Sequence, residues 1–146
     1  MRLMIFKEVQ GRIPSARLEK MFRKLSREER KPDWQGNINL IFTDDKSVRR
    51  LNREFRRVDA ATDVLAFSID YPDSTDSMFG EVYVSIPAAV RQAAESGVSV
   101  GERLLRLACH GLLHLFGYDH IKQRDVRQMK ALEDYYVAYA GRSGRG

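Results

Sequence analysis

The stretch SVGERLLRLACHGLLHLFGYDH, residues 99 to 120, carries its own start and stop signals, together with all three histidines of a 146-residue chain. Ser99 followed three residues later by Glu102 is a capping box, in which side-chain oxygens satisfy backbone N–H groups that a first helical turn leaves unpaired. From there Leu104, Leu105, Ala108, Leu112 and Leu115 recur at helical spacing and form an apolar face. Gly117 ends the helix, because a residue without Cβ enters the left-handed conformation at no steric cost. A capped helix with such a face must bury it against other elements, and the flanking sequence supplies them.

Working outward, RLMIFKEV (2–9) reads as a first strand and NINLIF (37–42) as a second. Between them, from Pro14 to about Glu28, the residues Leu18, Met21, Phe22 and Leu25 fall at i, i+3, i+4 and i+7, the stripe of an amphipathic helix. Thr43 is the expected cap of a helix with Asp44 and Asp45 in its first turn, with Val48, Leu51 and Phe55 facing inward, and with its end near Arg56. DVLAFSI (63–69) and EVYVSI (81–86) are further strand signals, and the polar segment between them fits either a long hairpin or an open connection. Pro87, at an expected first helical position, opens AAVRQAAESG, and a last helical segment runs from about Lys122 to Tyr139. The order βαβαββααα with short connections predicts one domain over residues 1–140, an α/β or α+β layer structure with helices on a small sheet. GRSGRG, residues 141–146, reads as a flexible basic tail.

Composition narrows the function classes. The apolar fraction of 43% is ordinary for a globular chain, and no run of 18 apolar residues suggests a membrane span. The start MRLMIFKEVQGR is too short in apolar residues and too early in charge for a signal peptide, so a cytoplasmic protein is expected. The single Cys109 agrees with a reducing compartment. A net charge of +5 favours a polyanionic partner, although a solvated surface accounts for it equally well.

The histidines carry the chemistry. His110 and His114 are four residues apart and share one helix face, where two imidazoles can hold one metal ion. The next turn cannot supply a third ligand at a tetrahedral angle, so the chain must leave the helix at Gly117 and fold back to bring in His120. The spacing H-x-x-x-H-x-x-G-x-x-H matches the zinc skeleton of the metzincin proteases. Three neutral nitrogens suit Zn2+, one ion per chain, and would also accept nickel or copper. Three protein ligands plus water is the pattern of a catalytic rather than a structural zinc site. Cys109, the neighbour of His110, points about 100° away around the helix and reads as core. Asp119 is a candidate fourth ligand, or a carboxylate holding a histidine ring N–H near the reacting centre. In the metallopeptidases the residue after the first histidine is the glutamate base. Here it is Gly111, which removes that base and is expected to open room over the metal.

HGLLHLFGYDH resembles the signature of the bacterial YbeY family of endoribonucleases and ribosomal RNA maturation factors over all of its positions. LNREFR, TDVLAF and GEVYVS resemble further motifs of that family, in order and at plausible spacing, so that the likeness spans roughly residues 40 to 120. Ala61, Ala66 and Glu81 depart from the family's usual proline, serine and aspartate. The resemblance implies an α+β fold, with a mixed sheet and the metal helix packed on it. It also implies a zinc site made by His110, His114 and His120, with single-stranded RNA as substrate and the small ribosomal subunit and its ribosomal RNA as partners. It places Arg56 in the active cleft, where a guanidinium offers two parallel donors to a phosphate. The alternative for Arg56 is a charge that ends its helix favourably, as Arg53 and Arg57 would. Asp63 either orients a ligand or caps a strand start. The resulting expectation is a zinc-dependent, single-strand-specific endoribonuclease of ribosomal RNA maturation, with Arg56 and Asp119 as candidate catalytic side chains. Its rivals are a non-catalytic ribosome-assembly factor with structural zinc and a metallopeptidase, the latter disfavoured by Gly111. Oligomeric state is not legible in the sequence.

Overall fold

The computed structural model describes residues 1–30, 36–69, 79–118 and 123–142. Asp119, His120 and the tail beyond Arg142 therefore lie outside the described residues. The elements run β1 (Arg2–Lys7), α1 (Ser15–Glu29), β2 (Asn37–Thr43), α2 (Asp45–Arg56), β3 (Val64–Ile69), β4 (Phe79–Ser85), α3 (Ile86–Ser96), α4 (Val100–Leu115) and α5 (Gln123–Gly141). This is the order expected from the sequence, and the α+β class is borne out. The four strands form one mixed sheet in the order β1-β2-β4-β3. β1, β2 and β4 are parallel, while β3 pairs antiparallel with β4 from Val64 opposite Val84 to Ile69 opposite Phe79. The open alternative after β3 thus resolves as a hairpin.

Alternation along the strands assigns the two faces. Leu3, Ile38, Leu40, Phe42, Val82 and Val84 are buried on one face in a single core with Leu18, Met21, Phe22 and Leu25 of α1, the apolar face of α4, and Met129 and Tyr136 of α5. α4 lies across β3 and β4, and α3 and α5 flank it. Phe67 points to the other face, where its ring meets Phe55 of α2 at 5.5 Å.

Local signals locate most helix ends. Ser99 Oγ accepts the Glu102 N–H at 3.1 Å, as the capping box requires. At the far end Gly117 has φ +101, its N–H reaches the His114 carbonyl at 3.0 Å, and the Tyr118 N–H reaches the Leu113 carbonyl at 3.0 Å. These two bonds make a Schellman motif. The Tyr118 hydroxyl then donates to Glu29 of α1 at 2.6 Å, which fixes the direction in which the chain leaves α4.

The second helix differs from expectation. Thr43 is the buried last residue of β2, and Asp44 is the cap, its carboxylate accepting the Ser47 N–H at 2.8 Å. Phe55 is 66% exposed, while Asn52 takes the inward position. The apolar pattern misleads here because α2 lies beside the sheet edge and must hold a loop as well as cover strands. The Asn52 side chain donates to the Ala60 carbonyl at 3.0 Å. α3 starts one residue before Pro87, with Ser85 as its cap.

Candidate active site

Two of the three histidines come together at the C-terminal half of α4. Their rings stand 4.7 Å apart at 73°, with the two Nε2 atoms 3.2 Å from one another. Two nitrogens bound at about 2.0–2.1 Å to one tetrahedral zinc would be roughly 3.3 Å apart, so the pair is spaced to hold one ion. His120 lies outside the described residues, and the third position is not defined by this geometry.

His110 is oriented from behind. Its Nδ1 lies 2.7 Å from Oε2 of Glu133 on α5. With a carboxylate as acceptor Nδ1 carries the proton, which leaves the Nε2 lone pair for a metal. Glu133 is itself buried at 8% exposure and receives Nε of Arg106 at 3.1 Å, while Arg106 Nη2 reaches Asp134 at 2.7 Å. A buried carboxylate keeps its charge at tolerable cost only with such partners. The sequence reading missed Glu133. Its signal was an acid interrupting the apolar stripe Met129, Tyr136, Val137 and Ala140, all of them buried.

Between α4, the end of α2 and the start of β3 lies a cleft of about 350 Å³, lined by Asn52, Arg56, Val58, Thr62, Asp63, Val64, Leu65, Ala66, His110, Gly111 and His114. Arg56, the last residue of α2, enters it over the open edge of β3. Its Nη2 donates to the Ala66 carbonyl at 3.0 Å, and its guanidinium carbon sits 5.6 Å from the centre of the Phe67 ring. One donor is used in that anchor, and the planar fork retains others for an anion. The turn that positions Arg56 is held by Arg57 at φ +58 and by the Val58 N–H on the Asn52 carbonyl at 3.2 Å. Arg56 therefore differs from its neighbours on the same helix: Arg49 pairs with Asp59 at 2.8 Å, and Arg53 is exposed away from the cleft lining.

Gly111 corrects the expectation of open space. A Cβ there would stand 2.4 Å from Val82 Cγ1 and 3.1 Å from Val64 Cγ2. Helix and sheet touch at this point, so glycine is required by close approach, and neither a glutamate base nor any other side chain has room. Cys109 is fully buried, and its burial holds the thiol in the protonated form well above its ordinary pKa. Asp63 lines the cleft, but its carboxylate accepts from Gln92 of α3 at 3.0 Å and its carbonyl receives the Ser85 N–H at 2.9 Å, which makes it an anchor for the β3 start. Glu81 alternates with Val82 and so points to the opposite sheet face, near Asn39 at 3.5 Å and Tyr83 at 3.2 Å. It takes no part in the cleft.

Comparison with known proteins gives a consistent result. The Endoribonuclease YbeY family matches residues 4–141. The Endoribonuclease YbeY of Moorella thermoacetica is 39% identical over 116 residues, covering 73% of this chain and 74% of that protein. That of Stutzerimonas stutzeri is 35% identical over 133 residues, covering 90% and 82%. The solution structure of TM1509 from Thermotoga maritima resembles the chain with a TM-score of 0.60 at 28% identity, over 99% of this chain and 98% of that one.

Proposed function

Because this chain belongs to the YbeY family of endoribonucleases, we propose that the α2–β3–α4 cleft cuts phosphodiester bonds of single-stranded RNA in a zinc-dependent reaction serving ribosomal RNA maturation of the small subunit. The observation that carries this reading is the meeting, in one cleft, of a histidine pair 3.2 Å apart at Nε2 and an anchored arginine. His110, His114 and His120 would hold the metal, with Asp119 beside the third ligand. When bound, zinc supplies Lewis acidity at a phosphate oxygen.

The chain's own groups do the rest. Glu133 keeps the His110 ring in one tautomer and one orientation. Arg56 binds the phosphate, and its fork stabilises the negative charge that grows as the phosphorus becomes five-coordinate. Anchored at Ala66 and over Phe67, the guanidinium is set before substrate arrives, so little side-chain entropy is lost on binding. Val64, Leu65 and Ala66 give the cleft an apolar wall, which strengthens the arginine–phosphate attraction by excluding water.

The test is single-turnover cleavage of a short labelled RNA by nuclease-free protein. Chelation should abolish cutting and zinc restore it, while unfolded casein should not be cut. Arg56→Lys keeps the charge and loses the fork, so it should slow cleavage roughly a hundredfold, or about 3 kcal/mol, with zinc content and RNA affinity little changed. Arg53→Lys should be silent. RNA binding with no cleavage under any metal condition would refute the reading and favour an assembly factor.

A further inference from the structure

Away from the cleft, α1 and α5 border a groove of about 430 Å³ whose lining includes Arg17, Lys20, Arg23, Lys24, Arg27 and Arg142 and, among the described residues, no carboxylate. Residues 17, 20, 24 and 27 follow one helical stripe, and the ten steps from first to last rise about 15 Å. Arg23 and Arg27 also border an adjoining depression with Arg2, where Glu19 is the only acid among the described residues.

Of the remaining acids of α1, Glu28 neutralises one member of this row and Glu29 faces two tyrosines, which leaves Arg17, Lys20, Arg23 and Arg27 as the row's excess charge. Glu28 pairs with Lys24 at 2.9 Å, and Glu29 accepts the hydroxyls of Tyr118 and Tyr136. Elsewhere Arg49, Arg91 and Arg106 each have a carboxylate partner, Arg91 with Asp45 at 2.8 Å. Among the described residues no carboxylate pairs with Arg17, Arg23 or Arg27. The lysines are held in place: Lys20 Nζ donates to the Arg142 carbonyl at 2.8 Å, and the ammonium groups of Lys20 and Lys24 lie 4.9 Å and 4.5 Å from the centre of the Tyr139 ring. Like charges gathered and ordered in a row repel one another, and a polyanion relieves that repulsion while releasing its own counterions. A row about 15 Å long suits an extended phosphodiester backbone better than a single phosphate.

We infer that the α1–α5 groove docks the phosphodiester backbone of RNA at a second site, away from the cleavage cleft. This rests on the endoribonuclease reading. α1 packs on edge strand β1 and the cleft opens at edge strand β3, three inter-strand steps or about 14 Å away. A hexanucleotide in the cleft does not need the groove, whereas a long RNA touches both.

The experiment compares wild type with the triple variant Lys20→Gln, Arg23→Gln, Arg27→Gln, and with Arg23→Gln alone should the triple variant fail to fold. Glutamine forms helix about as well as the residues it replaces, so α1 should persist. Binding of a long structured RNA is titrated against salt. Three lost phosphate contacts should lower the slope of log K against log salt by about 2 to 3, and the single variant by about 0.7 to 0.9. Affinity for the long RNA should fall at least tenfold for the triple variant, while cleavage of a labelled hexanucleotide stays at the wild-type rate. An unchanged slope and affinity would overturn the inference. So would loss of binding to anionic lipid vesicles with RNA binding intact, which would assign the groove to a membrane surface. A wild-type protein that binds long RNA through the groove but never cuts the hexanucleotide would instead refute the endoribonuclease reading and leave the groove standing.

Discussion

Replacing Gly111 with alanine adds one methyl group where α4 meets the sheet. The new Cβ would lie 2.4 Å from Val82 Cγ1, against a normal carbon–carbon contact of about 3.5–4.0 Å. Val82 cannot retreat, because it is fully buried on β4 between two paired strands. Alanine in a helix interior gains about 1 kcal/mol over glycine, while overpacking of this severity costs about 3 kcal/mol. The net loss is therefore about 2 kcal/mol. With an unfolding entropy of about 2.1 cal/mol/K per residue, a chain of 146 residues should melt roughly 6–7 °C lower. The displaced helix carries His110 and His114, so zinc affinity should fall as well. Thermal melts and chelator-competition titrations of Gly111→Ala, Val82→Ala and the double variant test this. Removing the valine methyl groups should relieve the clash, making the double variant more stable than the sum of the single effects by at least about 1 kcal/mol. An alanine variant as stable as wild type, with additive behaviour in the double variant, would refute the contact.

Glu133→Gln removes the carboxylate behind His110 and should weaken zinc binding by about 10- to 100-fold while the protein stays folded; chelator competition reads the change, and wild-type affinity would show that His110 needs no such support. Asp44→Ala should cost about 1 kcal/mol through loss of the α2 cap, measured by denaturant unfolding at pH 7. The Ser47 N–H holds the Asp44 carboxyl below its ordinary pKa, so this contribution is present above the usual aspartate range and lost as pH falls through the depressed native value. The gap between wild type and variant should accordingly close in acid. Asn52→Ala releases the Ala60 carbonyl and the turn that presents Arg56, so cleavage of short RNA should drop by more than tenfold with zinc content unchanged, and an equal loss of zinc would show that the turn supports the histidines instead.

How much was legible divides along one physical line. α4 could be read end to end, because its cap, its stripe and its terminating glycine act within a few residues of chain, and the Ser99 and Gly117 bonds appear as that local chemistry requires. The four-residue spacing likewise put His110 and His114 on one face before any packing was known. The element order followed from alternating periods of two and 3.6. What depends on which surfaces meet was not readable. Phe55 follows the same periodicity as Val48 and yet is exposed, since only the placement of α2 at the sheet edge determines which side is covered. Gly111 looked like an opening and is a point of contact, because the distance from α4 to Val82 belongs to the packed pair and to neither segment alone. Glu133 stands 23 residues after His110 in sequence and 2.7 Å from it in space. Arg56 entered the site through family resemblance, and its separation from Arg53 came from the open edge of β3, whose Ala66 carbonyl anchors one arginine and not the other. Local backbone sterics and hydrogen bonding write the elements into the sequence, whereas the site is assembled by contacts distant along the chain, which exist only once the core has closed.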